Sequence, residues 1–225
     1  MPRAIRSSAA ARPRPRWQRR KDARPEEIVA AALDVFVERG YAAARLEEVA
    51  RRAGVTKGTI YLYFPGKAAL FKAVVRQSLV LNIERAEAAL AAHPGSAADG
   101  LRQLLRTVWR TVGETRLSGI PKLIIAEAAN FPELARFYWA EVASRGLGLI
   151  GSLIERGIAR GEFRRVDARF ATMAGVGPLL FAIIFKHSLY PVSGLDLDFP
   201  AFVDAHLDNF LRGLARSSEQ DAPHA

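Results

Sequence analysis

The chain of 225 residues contains no cysteine. That excludes disulfides, thiolate zinc sites, iron–sulfur clusters and cysteine nucleophiles in one step. It also fits a reducing compartment, so the expected location is cytoplasmic. Histidine is scarce. His93, His187, His206 and His224 are scattered, and none stands four residues from another candidate ligand, so neither a metal nor a cofactor is expected. No Gly-x-Ser-x-Gly run, Walker A loop or paired acid–base constellation occurs, and the chain is not expected to be an enzyme. Long hydrophobic runs are missing as well. The longest charge-free apolar stretch near the end covers residues 171–185. A bilayer helix needs about 20 residues, so this stretch reads as a buried helix and no membrane partner is expected.

Acidic residues are short in one region. Residues 1–72 hold sixteen Lys and Arg against seven Asp and Glu, net +9, while the whole chain is net +10. Such asymmetry points to an anionic polymer or membrane surface engaging one end. Residues 1–24 concentrate it, with nine basic residues against Asp22 and with Pro2, Pro13 and Pro15 between them. Few apolar groups and high charge predict a disordered segment. The two later prolines interrupt any amphipathic transit helix, and no apolar run follows the basic start as a secretory signal requires. Two readings stay open: a solvated tail, and a basic arm lying along phosphates or in a minor groove. Residues 217–225 form a second expected disordered tail.

What is present is helical. Pro25, Glu26 and Glu27 suit a helix start. Ile28, Ala32, Val35 and Phe36 then recur with helical spacing, and Gly40 ends the run. Leu46, Val49, Ala50 and Ala53 stripe a second short helix closed by Gly54. Thr56 can cap a third, with Val55 and Ile60 stapled at its start and Pro65-Gly66 at its end. Two short helices around a turn containing Gly54, with small Ala50 midway along the first, have the helix-turn-helix layout at about 45–64. In the third helix Ile60 and Phe64 share the buried face. Lys57, Gly58, Thr59, Tyr61, Leu62 and Tyr63 are left outside it, which suits entry into a major groove. The competing reading packs both tyrosines under the following helix.

Further helical runs are expected at 67–92, 97–115, 120–130, 132–159, 167–189 and 199–216, with Pro121, Pro132 and Pro200 at or near three starts. No period-two alternation bounded by hairpin turns occurs, so strands are not expected. The expectation is an all-α chain of about nine helices. A three-helix head at 25–72 precedes a larger helical effector and dimerisation domain at 73–216. Gly146, Gly148 and Gly151 spell G-x-G-x-x-G inside one of these runs. A dinucleotide loop needs a preceding strand, so close helix–helix approach is the expected reason for the three glycines.

Residues 28–72 resemble the DNA-binding domain of TetR/AcrR-type one-component regulators. The likeness is carried by Gly40-Tyr41, by the unbroken run from Leu46 through Ala50, Gly54, Thr56-Lys57-Gly58-Thr59 and Ile60-Tyr61-Leu62-Tyr63-Phe64, and by Lys67, Leu70 and Phe71. The resemblance implies that Lys57, Gly58, Thr59, Tyr61 and Leu62 face bases or sugar, and that Tyr63 and Lys67 clamp phosphates. The family commonly places Thr or Ser before the second helix, where this chain has Ala44-Arg45. Arg45 is the expected substitute phosphate contact there, and Thr56 joins the set as capping hydroxyl.

Residues 124–135 and 155–163 are similar to the effector half of AcrR/AefR-like members. This implies a small-molecule pocket and dimerisation through the last two long helices. The expected interface residues are Leu179, Leu180, Ile183, Ile184, Phe202, Leu207, Phe210, Leu211 and Leu214. The same stripes could instead cover the monomer core. Candidate pocket residues are Trp109, Phe137, Tyr138, Trp139, Phe170, Met173, Phe181 and His187, suiting a hydrophobic or aromatic effector. The expected function is a homodimeric, ligand-responsive transcriptional regulator. It would act as a repressor, released from a near-palindromic double-stranded operator by its effector. The alternative is an architectural DNA-binding protein without an effector.

Overall fold

The computed structural model describes residues 25–91 and 95–216. The basic arm expected at 1–24 and the tail at 217–225 lie outside the described residues. Helix α1 is Pro25–Ala43, α2 Leu46–Arg52 and α3 Lys57–Tyr63. Helix α4 covers 67–91 and passes through a π-helical stretch at Arg76–Val80. Helix α5 covers 97–113 and ends in a π-helical turn, Trp109–Gly113. After a 3-10 turn at Arg116–Ser118 come α6, Gly119–Glu127, and α7, 132–159, the latter with a π-helical stretch at Trp139–Ala143. Helix α8 is Ala168–His187, α9 the single turn Tyr190–Ser193, and α10 Phe199–Leu214. Ten helices, α9 a single turn, make the described residues all-α, with a lone bridge between Phe163 and Ala215.

The helix starts follow the capping signals in the sequence. Ser96 Oγ accepts from Asp99 N at 3.0 Å, Asp167 from Arg169 N and Phe170 N, and Asp198 from Ala201 N at 3.0 Å. Each satisfies donors that the first turn leaves free. Gly40 has φ 75° and ψ 170°, and the main chain bends there before one last helical turn reaches Ala43. A side chain at that φ would be strained.

Two apolar cores divide the molecule. The first holds Ile28, Val35 and Phe36 of α1, Val49 and Ala50 of α2, Ile60 of α3 and Leu70 and Phe71 of α4. It continues into Ile120, Leu123 and Ile124 of α6 and Leu134 of α7. The head is therefore not a separate ball on a stalk. A division at residue 72 falls inside α4, and one core crosses it. Burying an aliphatic or aromatic side chain of this kind stabilises by about 1.5–3 kcal/mol, so the head is anchored on α6. The second core joins Leu101, Leu105 and Trp109 of α5 to Ile150 and Ile154 of α7, Leu179 and Ile183 of α8 and Leu207 and Leu211 of α10.

Three sequence expectations change here. Helix α8, expected to be buried, leaves Phe170, Met173 and Phe181 exposed, and by length and composition alone it could cross a bilayer. It packs on α6, α7 and α10. The glycine triplet lies within α7, but a Cβ on Gly146 or Gly148 would meet nothing within 4 Å. Gly151 comes nearest to a neighbour, but its Cβ would stand 3.4 Å from Thr172 Oγ1, at the edge of ordinary contact, so close approach demands none of the three glycines. Finally, five expected interface residues, Leu179, Ile183, Leu207, Leu211 and Leu214, are buried in the chain's own second core. A side chain already enclosed by its own chain offers nothing to a partner. The outward apolar stripe of α8 is instead Phe170, Met173 and Phe181.

Candidate nucleic-acid interface

The turn between α2 and α3 is fixed by its backbone. Gly54 adopts φ 69°, Gly54 N donates to Arg51 O at 3.3 Å, and Val55 N donates to Ala50 O at 2.9 Å. This is the paired-bond stop that a left-handed glycine makes possible. Thr56 then caps α3, its Oγ1 accepting from Thr59 N at 3.2 Å and lying 2.9 Å from Thr59 Oγ1. Val55 and Ile60 are both buried, closing the staple. With Ile60 inside, α3 turns Tyr61, Leu62 and Tyr63 outward at 49%, 81% and 47% exposure. The reading that tucks both tyrosines under α4 does not hold.

Charge on α2 and α3 is paired within the fold itself. Arg52 donates to Glu38 through both terminal nitrogens, at 2.8 and 2.6 Å, and to Glu48 at 2.8 Å, locking α2 to α1. Those hydrogen bonds hold the Glu38 and Glu48 carboxyls below the usual carboxylate range. Lys57 pairs with Glu47 at 2.6 Å and lies 5.8 Å above the Tyr61 ring. Its hydrogen bond to Glu47 raises the ammonium's pKa and lowers the carboxyl's. Arg45 stands at the N-cap of α2 with an exposed side chain that makes no capping bond. Gly58 is exposed on the first turn of α3, where an added Cβ would meet only Thr56 Oγ1 at 3.7 Å. The fold itself does not demand a glycine there.

Lys67 departs from the expected phosphate clamp. Its ammonium donates to the carbonyls of Tyr41, Ala42 and Ala44 at 2.8, 3.0 and 3.1 Å and sits 4.7 Å above the Tyr41 ring. An ammonium has three donors, and all three are taken in closing the C-terminal end of α1. Burial lowers its pKa. Sequence spacing placed Lys67 beside the reading head correctly but could not reveal which way the side chain folds.

The eight pocket candidates do not surround one cavity. Trp139, Phe170, Met173 and Phe181 are exposed, and so are not walls of an enclosed pocket. Phe137 lies beneath Lys72 and Arg76, 5.4 and 5.1 Å from its ring centre, and Tyr138 packs beside it on the first core. His187 bonds Ser118 at 2.7 Å. Trp109 alone borders a cleft of about 610 Å³ between α5 and α10, and Met173 borders a groove of about 390 Å³ between α7 and α8. Sequence reading passed over the residues that build the larger cleft: Arg102, Arg106 and Arg110 on α5, facing Asp204 on α10. Their signal was present as a basic residue every fourth position.

The head is joined to the body by polar contacts as well as by the shared core. Glu127 of α6 accepts from Ala42 N at 3.1 Å, and Arg116 pairs with Asp34 of α1. A Cβ on Gly119 would stand 2.5 Å from Val37 Cγ1, so α6 meets α1 as closely as glycine allows.

Comparison with known proteins matches this arrangement. Residues 28–74 match the family described as bacterial regulatory proteins, tetR family, and residues 91–194 that described as tetracyclin repressor-like, C-terminal domain. The transcriptional activator FasR of Mycolicibacterium smegmatis is 37% identical over 87 residues, covering 39% of this chain and 33% of that protein. The chain thus aligns with about a third of that relative's length. Among solved structures, a transcriptional regulator from Saccharomonospora viridis in complex with choline has a TM-score of 0.72 at 22% identity, covering 86% of this chain and 98% of that one. FadR from Bacillus subtilis in complex with stearoyl-CoA has a TM-score of 0.63 at 22% identity, covering 85% and 100%. These two likenesses concern the fold. With a helix-turn-helix head matched to one family description and most of the helical body to the other, the chain belongs to the TetR family of bacterial regulatory proteins.

Proposed function

We propose that this protein is a cytoplasmic, homodimeric, ligand-responsive DNA-binding repressor. The observation that carries the reading is the outer face of α3. Tyr61, Leu62 and Tyr63 are exposed on a helix whose start is capped and stapled and whose inner face is fully buried. A plain solvated surface has no use for an exposed Leu between two tyrosines on a rigid short helix. In a major groove, the hydroxyls bond phosphates or base edges and the Leu meets thymine methyls. The Thr56, Lys57, Gly58 and Thr59 turn enters first, and Arg45 reaches the flanking backbone.

Two heads are needed to read two half-sites about 34–36 Å apart. The exposed stripe of Phe170, Met173 and Phe181 on α8 is the surface through which two copies pair, flanked by half-buried Leu180, Ile184, Phe202 and Phe210. The effector is a small molecule with a hydrophobic body that binds the helical body and favours a head spacing unsuited to the operator. The complexes that two structural neighbours form with choline and with stearoyl-CoA are consistent with ligand binding in this fold.

The test is selection of binding sites from random DNA by the full chain, followed by titration on the selected and on random duplexes. A near-palindrome bound by one dimer at least about a thousandfold more tightly than random DNA supports the proposal. A ratio near one would sink it and favour an architectural binder.

A further inference from the structure

We propose that the cleft between α5 and α10 binds a small organic monocarboxylate with an apolar body. This names a ligand class for the responsive body invoked above. It rests on that reading only for its effect on DNA.

The cleft is built by a ladder. Arg102 and Arg106, one turn apart on α5, reach Asp208 at 4.0 Å and Asp204 at 2.8 Å on α10. The next rung, Arg110, has no partner among the described residues, although it lines the same cleft. Pro200 and Val203 supply apolar wall, and the volume of about 610 Å³ lies within the range of small-molecule sites.

Trp109 supplies the second, independent observation. It is 3% exposed, lines the cleft, and stacks on Phe199 with centroids 6.1 Å apart. The benzene edge of its indole is pressed against Gly113, where an added Cβ would fall 2.3 Å from Cε3. The opposite edge carries Nε1–H, which is buried and has no hydrogen-bond acceptor. Buried donors are nearly always paired, and one left unpaired is a standing cost that an acceptor removes. An acceptor brought to that edge by a ligand seated on this wall would remove the cost.

Charge narrows the class. Three arginines line the cleft against Asp99, Asp204 and Glu114. Asp99 is engaged by the Ser96 hydroxyl at 2.7 Å and Asp204 by Arg106. A single carboxylate can accept from the fork of Arg110 in the bidentate way that guanidinium favours. A second negative charge would meet Glu114. A cation offers no acceptor to Nε1–H and would face Arg110. What remains is one carboxylate on a body that lies against Trp109, Pro200 and Val203.

The place also bears on regulation. Trp109 opens the π-helical turn that ends α5 at Gly113, and Lys186 of α8 donates to Gly113 O at 3.0 Å. Three residues past Gly113, Arg116 pairs with Asp34 in the head. A ligand that changes how α5 ends acts close to the head–body junction.

The experiment is calorimetric titration of the full chain with naphthoate and, separately, octanoate. It compares wild type with Arg110→Gln and Trp109→Phe, with circular dichroism melts for each. The expected result is saturable binding of at least one probe, one per chain, weakened about tenfold or more in Arg110→Gln. Naphthamide, which keeps the ring and loses the charge, should bind as weakly to wild type as naphthoate does to Arg110→Gln. Arg110 is exposed, so its variant folds and keeps the test clean even where Trp109→Phe loosens the core. Absence of saturable binding of either carboxylate to wild type overturns the proposal, as does binding that Arg110→Gln leaves unchanged. Titration of the same wild-type sample on the selected operator reports separately on the DNA-binding reading, which can fail while the cleft binds.

Discussion

Lys57, on the first turn of α3, is held at 2.6 Å by Glu47 of α2, across the helix-turn-helix. The pair places an anion beside a helix whose outward face otherwise suits DNA, so the leading cation of that face is partly neutralised before binding. Surface pairs of this kind contribute little to stability. Their larger consequence is for which DNA is accepted. If α3 enters a groove as proposed, Lys57 gains only a phosphate on random duplex and Glu47 is repelled. On the right sequence, Lys57 can donate to a guanine edge.

Replacing Glu47 with Gln is therefore expected to raise affinity for random DNA by about two- to threefold at low salt while leaving operator affinity nearly unchanged. Titration of both duplexes at two salt concentrations measures it. Equal gains on the two duplexes would show that Glu47 acts only as general repulsion.

Gly58→Ala separates fold from function. A Cβ at Gly58 meets only ordinary contact with Thr56 Oγ1 at 3.7 Å, and Ala is the better helix former by about 1 kcal/mol. The variant should melt at or slightly above the wild-type temperature yet lose operator affinity about tenfold, because a methyl group intrudes where backbone meets bases. Unaltered DNA affinity would mean that this turn does not approach the groove.

Lys67→Met tests the reassigned lysine. Its removal leaves the carbonyls of Tyr41, Ala42 and Ala44 without their shared donor. A loss of about 1–3 kcal/mol is expected, seen as a lower denaturant midpoint. The salt slope of DNA binding should hold, since the ammonium is not facing phosphate. A slope smaller by about one with unchanged stability would restore the phosphate clamp.

The head was legible in the sequence because its signals are local. Gly40, Gly54, the Thr56 cap and the Val55–Ile60 staple each act within a few residues, and all sit where the pattern put them. The body was legible only as a set of helices. Spacing says which residues share a helix face, not which of two apolar faces meets a neighbour. Helix α8 is apolar nearly all round, so its pattern points Leu179 and Ile183 outward and Phe170, Met173 and Phe181 inward, the reverse of their positions. Lys67 failed for a related reason: a long flexible side chain at a known position can reach either of two surfaces.

Phe181→Glu follows from that reversal. Phe181 is 60% exposed and, among the described residues, stacks only on Phe185 of its own helix, with centroids 5.6 Å apart. A carboxylate there should leave the chain folded, with a melting temperature nearly unchanged at low concentration. Placed in an interface core it would be buried without a partner. Sedimentation is expected to show dimer for wild type and monomer for the variant, with operator binding lost as a consequence. A variant that remains dimeric would place the interface elsewhere.

His187 gives the body a pH dependence of definite sign. Its Nε2 lies 2.7 Å from Ser118 Oγ, and that hydroxyl also donates to Thr115 O at 2.7 Å. A hydroxyl has one proton, so once it is given to Thr115 the oxygen accepts from Nε2–H, which suits a neutral ring. Burial, helped by the positive charges of Lys186 and Lys122, holds the imidazole below its ordinary value of 6.5. The unfolded chain therefore takes up the proton first as pH falls. Stability from the neutral ring is fully present above the unfolded value and is lost as pH drops through the lower folded value. His187→Gln keeps a donor near Ser118 and cannot titrate. Wild type should melt above this variant near about pH 8, and the gap should shrink or reverse near about pH 5. A gap that stays constant between the two conditions would mean that His187 keeps its ordinary affinity for protons in the folded chain.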